Sequence, residues 1–318
     1  MNKDLFKYYS LNTLLTLALA ATFCNVQGIL GLAIELLLIS LLAVVFYHCH
    51  YGLGCANVIM VAVVFVLFQD VLPAIVTLVP IALLAVALAL GLRLKLPFYK
   101  LLFLCTFLFA AELLANLQVL DHLTGGEVTI SSMMLDMGRQ LREVFLTQYA
   151  DPAMEVMVEQ AISMTVDLTI MLAPAMFLIV SIVLSYALLY IFKKMQQRRG
   201  VDMSGFIPFS KMQGDKLMAF VFLVLLLIVT AAPSGLFFDA CVNVLLILGF
   251  IFVVLGLSAF DWKMKQKGTA KPLRRLLIIS LFFLSTMMLL VPVLALLIYG
   301  ATDCLFDYRH LRSENSEK

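Results

Sequence analysis

Charge is scarce in this sequence. Asp, Glu, Lys and Arg make up 13% of its 318 residues, 63% are hydrophobic, and the mean hydropathy is +1.05; soluble domains carry about a quarter charged residues. A chain this poor in polar side chains cannot cover itself in water, which excludes cytosolic enzymes, secreted disulfide frameworks, disordered tails and nucleic-acid-binding domains. Cysteine is thin as well. The six cysteines (Cys24, Cys49, Cys55, Cys105, Cys241, Cys304) are scattered through apolar runs with no CxxC spacing, and read as reduced packing residues. No excess of either sign stands out, since the net charge is only +2, so no polyanionic partner is indicated. Walker A, GxSxG, HExxH and dinucleotide-binding sequences are all missing. The chain therefore lacks the standard devices for ATP hydrolysis, and neither intrinsic catalysis nor a cofactor is expected.

What is present is a series of apolar runs. A bilayer core about 30 Å thick takes about 20 apolar residues per helix. Such runs fall at about 8–24, 28–47, 52–69, 72–91, 97–117, 164–192, 215–232, 236–260 and 275–299. They are continuously apolar rather than alternating, which predicts helices and not a barrel. The expected fold is all-α, a polytopic bundle of about eight or nine spans. The first run is the weakest, and its purely apolar part, Leu11–Cys24, is short enough to be re-entrant. Lys3 and Lys7 precede it as in a signal peptide, but Asn25–Gly28 is a poor cleavage site, so the run reads as a retained span.

Basic residues collect on cytoplasmic loops. With the N-terminus inside, Lys3 and Lys7, then Arg93, Lys95 and Lys100, then Lys193 through Lys216, then Lys263 through Arg275 all fall inside. Arg139, Arg142, Arg309, Arg312 and Lys318 remain outside, so this reading places the C-terminus and the 118–163 loop on the outer face of a bacterial inner membrane. Three divisions follow: an N-terminal membrane half at 1–117, the outer loop at 118–163, and a C-terminal membrane half at 164–318. In the loop, Met134, Met137, Leu141, Val144 and Phe145 recur at helical spacing opposite Asp136, Arg139, Arg142 and Glu143, the pattern of an amphipathic helix. Asp151-Pro152 starts a further helix that runs to about Phe192, with Pro174 as its expected kink.

Ionisable groups inside a span are costly and point to function. Glu35 and Glu112 lie within apolar runs, and Asp70, Asp167 and Asp239 lie near span ends. With Asn116 and Gln118 they could line an outward-facing pocket whose carboxylates recognise an ammonium, a metal ion or hydroxyl and amide donors. Against this stand interfacial caps for the aspartates and inter-helix hydrogen bonds for the glutamates. His48-Cys49-His50 with Cys55 gathers soft ligand types, but the spacing fits no zinc motif and a polar turn explains it better. Glu155 and Glu159 share a helix face without an ExxH partner, and read as a solvated face. The basic clusters at 193–199 and 263–275 follow from topology and attract anionic lipid; a docking surface for a cytoplasmic partner is the further alternative.

In the second half, Pro174 through Lys194, Phe206-Ile207-Pro208-Phe209-Ser210-Lys211, Gly256-Leu257-Ser258-Ala259-Phe260, Lys271-Pro272-Leu273-Arg274-Arg275 and the terminal Gly300-Ala301-Thr302-Asp303-Cys304-Leu305-Phe306-Asp307-Tyr308-Arg309 together resemble the YybS-like family of bacterial membrane proteins. Asp303, Phe306, Asp307 and Arg309 match that family's terminal signature, while Cys304-Leu305 and Ile207-Pro208 depart from its pattern. The resemblance covers about 174–312. It implies similarity to the substrate-binding S components of energy-coupling-factor transporters: an outward-facing pocket for a small solute, docked on a coupling subunit driven by separate ATPases. Ala18 and Thr22 have the small-xxx-small spacing that would serve such docking. Read from the residues alone, Asp303, Asp307 and Arg309 could form a charge-assisted clasp past the last span or touch substrate or the outer loop. A non-transport adaptor, acting through the basic loops and membrane lipids, is the alternative function.

Overall fold

The computed structural model describes all residues except 1, 2, 27, 50, 124–128, 149–151, 204, 232, 233, 287–289 and 312–318. The described chain is helical throughout: α1 Lys3–Phe23, α2 Gly28–His48, α3 Tyr51–Phe68, α4 Val71–Arg93, α5 Phe98–Leu123, α6 Ile130–Gln148, α7 Pro152–Gln197, a single 3-10 turn at Phe209–Lys211, α8 Lys216–Ala231, α9 Leu236–Gln266, α10 Lys271–Thr286 and α11 Leu290–Phe306. Six stretches are long and apolar enough to cross a membrane: Gly28–His48, Tyr51–Phe68, Val71–Arg93, Phe98–Val119, Val156–Gln197 and Leu236–Gln266. Tyr9–Phe23, Lys216–Ala231 and Val291–Phe306 are apolar but shorter.

Burial supports a lipid surround more directly than hydropathy does. In α1, Asn12, Thr13 and Thr16 are buried while Leu11, Leu14 and Leu15 are 59%, 65% and 48% exposed. In water that helix would be inside out; in hydrocarbon its leucines meet lipid and its polar groups find partners within the protein. The same inversion recurs, with Ser40, Asn57, Ser181, Ser185 and Ser258 fully buried and Phe103, Phe107, Leu227 and Val291 turned outward. The chain is a multi-pass membrane protein.

Two compact units form, one from Met1–Ile170 with Val180–Phe206, the other from Met171–Ile179 with Ile207–Lys318. In the first unit α2 packs against α1, α3 and α4, and α4 also packs against α5. Arg93 ends α4 by donating to the carbonyls of Phe46, Tyr47 and Cys49 at 2.8, 3.0 and 3.3 Å, which satisfies the free C-terminal carbonyls of α2. The amphipathic helix expected in the 118–163 loop is α6. Thr129 and Ser132 open it reciprocally, Thr129 N donating to Ser132 Oγ at 2.8 Å and Ser132 N to Thr129 Oγ1 at 3.1 Å, a capping-box arrangement. Arg142 reaches Glu159 on α7 at 3.5 Å. Leu141, Phe145 and Glu155 have side chains outside the described set, as does Asp151 altogether.

In the second unit the expected single span at 275–299 is corrected: it is divided between α10 and α11. Pro292 sits in the first turn of α11, where its missing N–H costs nothing. Arg274 in the first turn of α10 pairs with Asp261 of α9 at 3.3 Å, and Arg309, just past α11, bonds Ser258 of α9 at 3.0 Å. The α10–α11 pair therefore enters and leaves at the C-terminal end of α9. Two helices therefore stand where one span was expected.

Glycine makes the α9–α11 contact possible. A Cβ on Gly256 would overlap the Leu296 carbonyl, and one on Gly300 would overlap the Phe252 carbonyl, so the two backbones touch where any other residue would part them. Phe222, Phe252, Leu255 and Cys304 close the core beside that crossing.

Candidate functional site

Helix α2 is apolar along almost its whole length and buried from Leu38 through Phe46. Its two interior polar residues behave differently. Ser40 donates to Leu36 O at 2.7 Å and is satisfied within its own helix. Glu35, 8% exposed, is too long and too acidic for that solution and needs a partner from elsewhere.

The partner is Glu112, 5% exposed, on α5. Helix α5 is seated on α4 beside Gly91, which leaves room for the Leu101 side chain. The two glutamate side chains hydrogen-bond to each other. A carboxylate has only acceptors, so a bond between two carboxyl groups requires a proton on one of them. Glu112 Oε2 is left buried with no hydrogen-bond partner. Among the described residues no Lys, Arg or His pairs with either glutamate. A polar group buried without a partner costs about 1–3 kcal/mol, so this site carries acceptor capacity that the fold itself does not use.

The other candidates differ from the pair in exposure and setting. Asn116, one turn beyond Glu112 on α5, is exposed, as is Gln118. Asp70 takes the N-cap position of α4 without a side-chain cap bond and is exposed, as is Asp167 on α7. Asp239, half-buried, belongs to the second unit and lies in the first turn of α9, where a negative charge suits the helix dipole. Among the described residues Glu35 and Glu112 are thus joined, and none of the other five is bonded to either.

His48 Nε2 lies 2.9 Å from Gln196 Oε1, Cys49 is buried, Cys55 is exposed, and His50 falls outside the described residues. Burial pushes the Cys49 thiol up from its ordinary range, which makes it a poor ligand and a poor nucleophile. Among the described residues no group of three or more His, Cys, Asp and Glu is placed to hold a metal ion. Asn57 on α3 was not singled out from the sequence, yet it is fully buried and neither amide atom has a partner. A lone amide inside the run Tyr51–Phe68 was the available signal. Asn243 on α9 was missed for the same reason.

The terminal signature forms a separate constellation. Arg309, 3% exposed, donates from Nε and Nη2 to Asp303 Oδ2 at 3.0 and 2.7 Å. Its Nη1 reaches Ser210 O and Ser258 Oγ at 3.1 and 3.0 Å, and Nη2 also reaches Met212 O at 2.7 Å. Ser258 lies within donor reach of the Phe209 and Met212 carbonyls at 2.6 and 2.9 Å. The guanidinium arrives there because the chain turns back after α11 through Asp307 at φ 50°, a left-handed conformation that Asp tolerates. Asp307 Oδ1 accepts from Gln213 Nε2 at 2.6 Å and from Leu311 N at 3.2 Å. Phe306 is 65% exposed, with its ring 5.8 Å from that of Tyr308. This is a clasp that ties the chain after α11 to the 209–212 turn and to α9.

No curated protein and no solved structure matches the chain. A family model does, over residues 14–297, and that span includes both glutamates and every apolar helix at least in part. By that match the chain belongs to the family described as "Predicted membrane protein (DUF2232)".

Proposed function

We propose that this chain is a bacterial cytoplasmic-membrane protein that binds a small solute from the outer side at the Glu35–Glu112 pair, without ATPase or other catalytic activity of its own. The observation that carries the reading is the unpartnered Glu112 Oε2 within a buried, hydrogen-bonded carboxyl pair. A solute bearing an ammonium, hydroxyl or amide donor would fill the acceptor that the fold leaves open. Intramembrane carboxyl groups facing a bundle interior mark such pathways.

Orientation follows from charge. If each of α1–α5 and α7–α11 crosses once, both termini are cytoplasmic, and Arg139 and Arg142 are the two basic residues left on the outer face. The helix pair at 271–306 thus sharpens the positive-inside bias. On this reading α6 is extracytoplasmic. The resemblance to YybS-like proteins, and through them to S components, supports a solute-capturing protein that docks on a coupling subunit powered by separate ATPases.

The test is thermal stabilisation of the purified protein by a panel of amines, vitamins and amino acids. A true ligand raises Tm in the wild type and not in Glu35→Ala or Glu112→Ala. A ligand whose effect survives both substitutions removes the pair from the site. Recovery from native membranes in mild detergent, followed by mass spectrometry, should bring coupling and ATPase subunits along.

One observation favours a second reading. Lys263, Lys265, Lys267, Lys271 and Arg275 are all exposed at the α9–α10 connection, a surface suited to anionic lipid or to an acidic cytoplasmic partner. If the chain is an adaptor, neutralising Lys263, Lys265 and Lys267 abolishes partner recovery and leaves solute stabilisation intact.

A further inference from the structure

Two carboxyl groups joined by a hydrogen bond hold at least one proton between them, because a carboxylate can only accept. Glu35 and Glu112 are joined in this way, and both are more than nine-tenths buried. Glu35 lies seven residues into the Gly28–His48 span, and Glu112 lies seven residues short of the end of Phe98–Val119. At 1.5 Å per residue each is about 10 Å inside its span, within the hydrocarbon of a bilayer about 30 Å thick. A net charge is expensive there. With a single proton the pair is an anion; with two it is neutral.

Titratable side chains on the packed elements do not supply a compensating charge. Helices α1, α3 and α4 pack on α2, and α4 packs on α5. Tyr9, Tyr47, His48, Tyr51, Cys55 and Arg93 gather at the far end of these helices, where Tyr9 bonds Leu53 O and Arg93 bonds Phe46 O. Tyr99 and Lys100 open α5 at that end. Nearer the pair come Cys24, Asp70, Cys105, Asp121 and His122. Among the described residues, the charged group that acts on each glutamate is the other one.

We propose that the solute taken by this pair is a monocation of the ammonium type, and that it enters in exchange for one of two carboxyl protons. The inference rests on the reading of the pair as the solute site. One carboxyl O–H bond breaks, its electron pair stays on the oxygen, and the proton leaves to water. The ammonium N–H then donates to the carboxylate so formed; Glu112 Oε2, buried without a partner, is the oxygen open to it. The second proton stays and keeps the two glutamates bonded. The site is neutral before and after, so a cation is held without leaving a net charge in hydrocarbon. A divalent cation would take both protons and break the bond between the carboxyl groups. Metal ions also ask for several ligands, and among the described residues no three or more of His, Cys, Asp and Glu are grouped to hold one. A neutral hydroxyl or amide solute would displace no proton.

The test uses the full-length protein in mild detergent, with n-propylammonium chloride as the probe and n-propanol as its neutral counterpart. The amine stays protonated through neutral pH. Propylammonium should raise Tm, and its affinity should tighten roughly tenfold per pH unit, as one-proton linkage requires. Mixing in weakly buffered solution with a pH indicator should release about one proton per amine bound; propanol should do neither. The double variant Glu35→Gln/Glu112→Gln keeps the side-chain volume and has no carboxyl proton to exchange, so it should lose both the Tm shift and the proton release. If that variant does not fold, the proton count and pH slope of the wild type decide alone. Failure of the amine to bind, binding without proton release, release of two protons, equal stabilisation by propanol, or a response that survives in the double variant overturns the exchange. The solute-site reading is separate: it survives each of these results if a neutral member of the solute panel stabilises the wild type and not Glu35→Ala or Glu112→Ala.

Discussion

Two buried ionisable pairs, one in each compact unit, differ in charge: one joins opposite charges and the other joins two carboxyl groups. In the second unit Arg309 makes five hydrogen bonds to Asp303, Ser210, Met212 and Ser258, and Asp303 Oδ1 is left without a partner. In the first, Glu35 and Glu112 have each other, and one oxygen is left over. The desolvation cost of burying charge is offset where opposite charges meet with their remaining groups bonded, and is left standing where like groups meet. The difference separates a pair whose charges compensate each other from one in which no opposite charge does.

The comparison is broken most severely at Arg309. Arg309→Ala leaves Asp303 buried and uncompensated, and should cost about 3–5 kcal/mol, read by thermal or denaturant unfolding. Arg309→Lys should recover little of this, because an ammonium cannot reproduce the planar fork. Next in size is Glu112→Ala, which strands Glu35 and should cost about 1–3 kcal/mol. Glu112→Gln sharpens the contrast. Its amide still donates to Glu35, so stability should stay within about 1 kcal/mol of wild type while solute-induced stabilisation disappears; an unchanged ligand response would show that the pair is only structural. Ser258→Ala removes one hydroxyl from the clasp and should cost about 1 kcal/mol. Smallest are Asp70→Asn and Asp167→Asn, exposed and away from the pair, each within about 0.5 kcal/mol and without effect on ligand. Separately, a fluorescent protein fused after Lys318 should mature, as it does in cytoplasm; a dark but full-length fusion would place the C-terminus outside.

Much of this was legible along the chain, for reasons particular residues make clear. Glu35 and Glu112 were visible as carboxyls in apolar runs, since cost in lipid depends on residue type and depth alone. That they meet was not visible, because they sit on helices that α4 links and nothing local encodes the pairing. Asp70, Asp167 and Asp239 carried the same sequence signal near span ends, yet none of them is bonded to the pair. The run 275–299 looked like one crossing because apolarity has no direction; Pro292 was the mark of a break, and only the bonds of Arg274 and Arg309 to α9 show that the chain returns. The terminal signature was legible as a charged cluster past the last span, but its carbonyl partners at Ser210 and Met212 are about a hundred residues away in sequence.

By itself the sequence determined the solvent. A chain with 13% charged residues and long apolar runs has no stable arrangement in water, and lipid then demands helices, because every backbone group must be satisfied internally. What only tertiary structure decided was the use of the few polar groups that remained. Whether a buried carboxyl meets a guanidinium or another carboxyl depends on which side chains converge on it from distant helices. That convergence is set by packing between faces, such as the glycine contact of α9 with α11, rather than by the composition of any one segment.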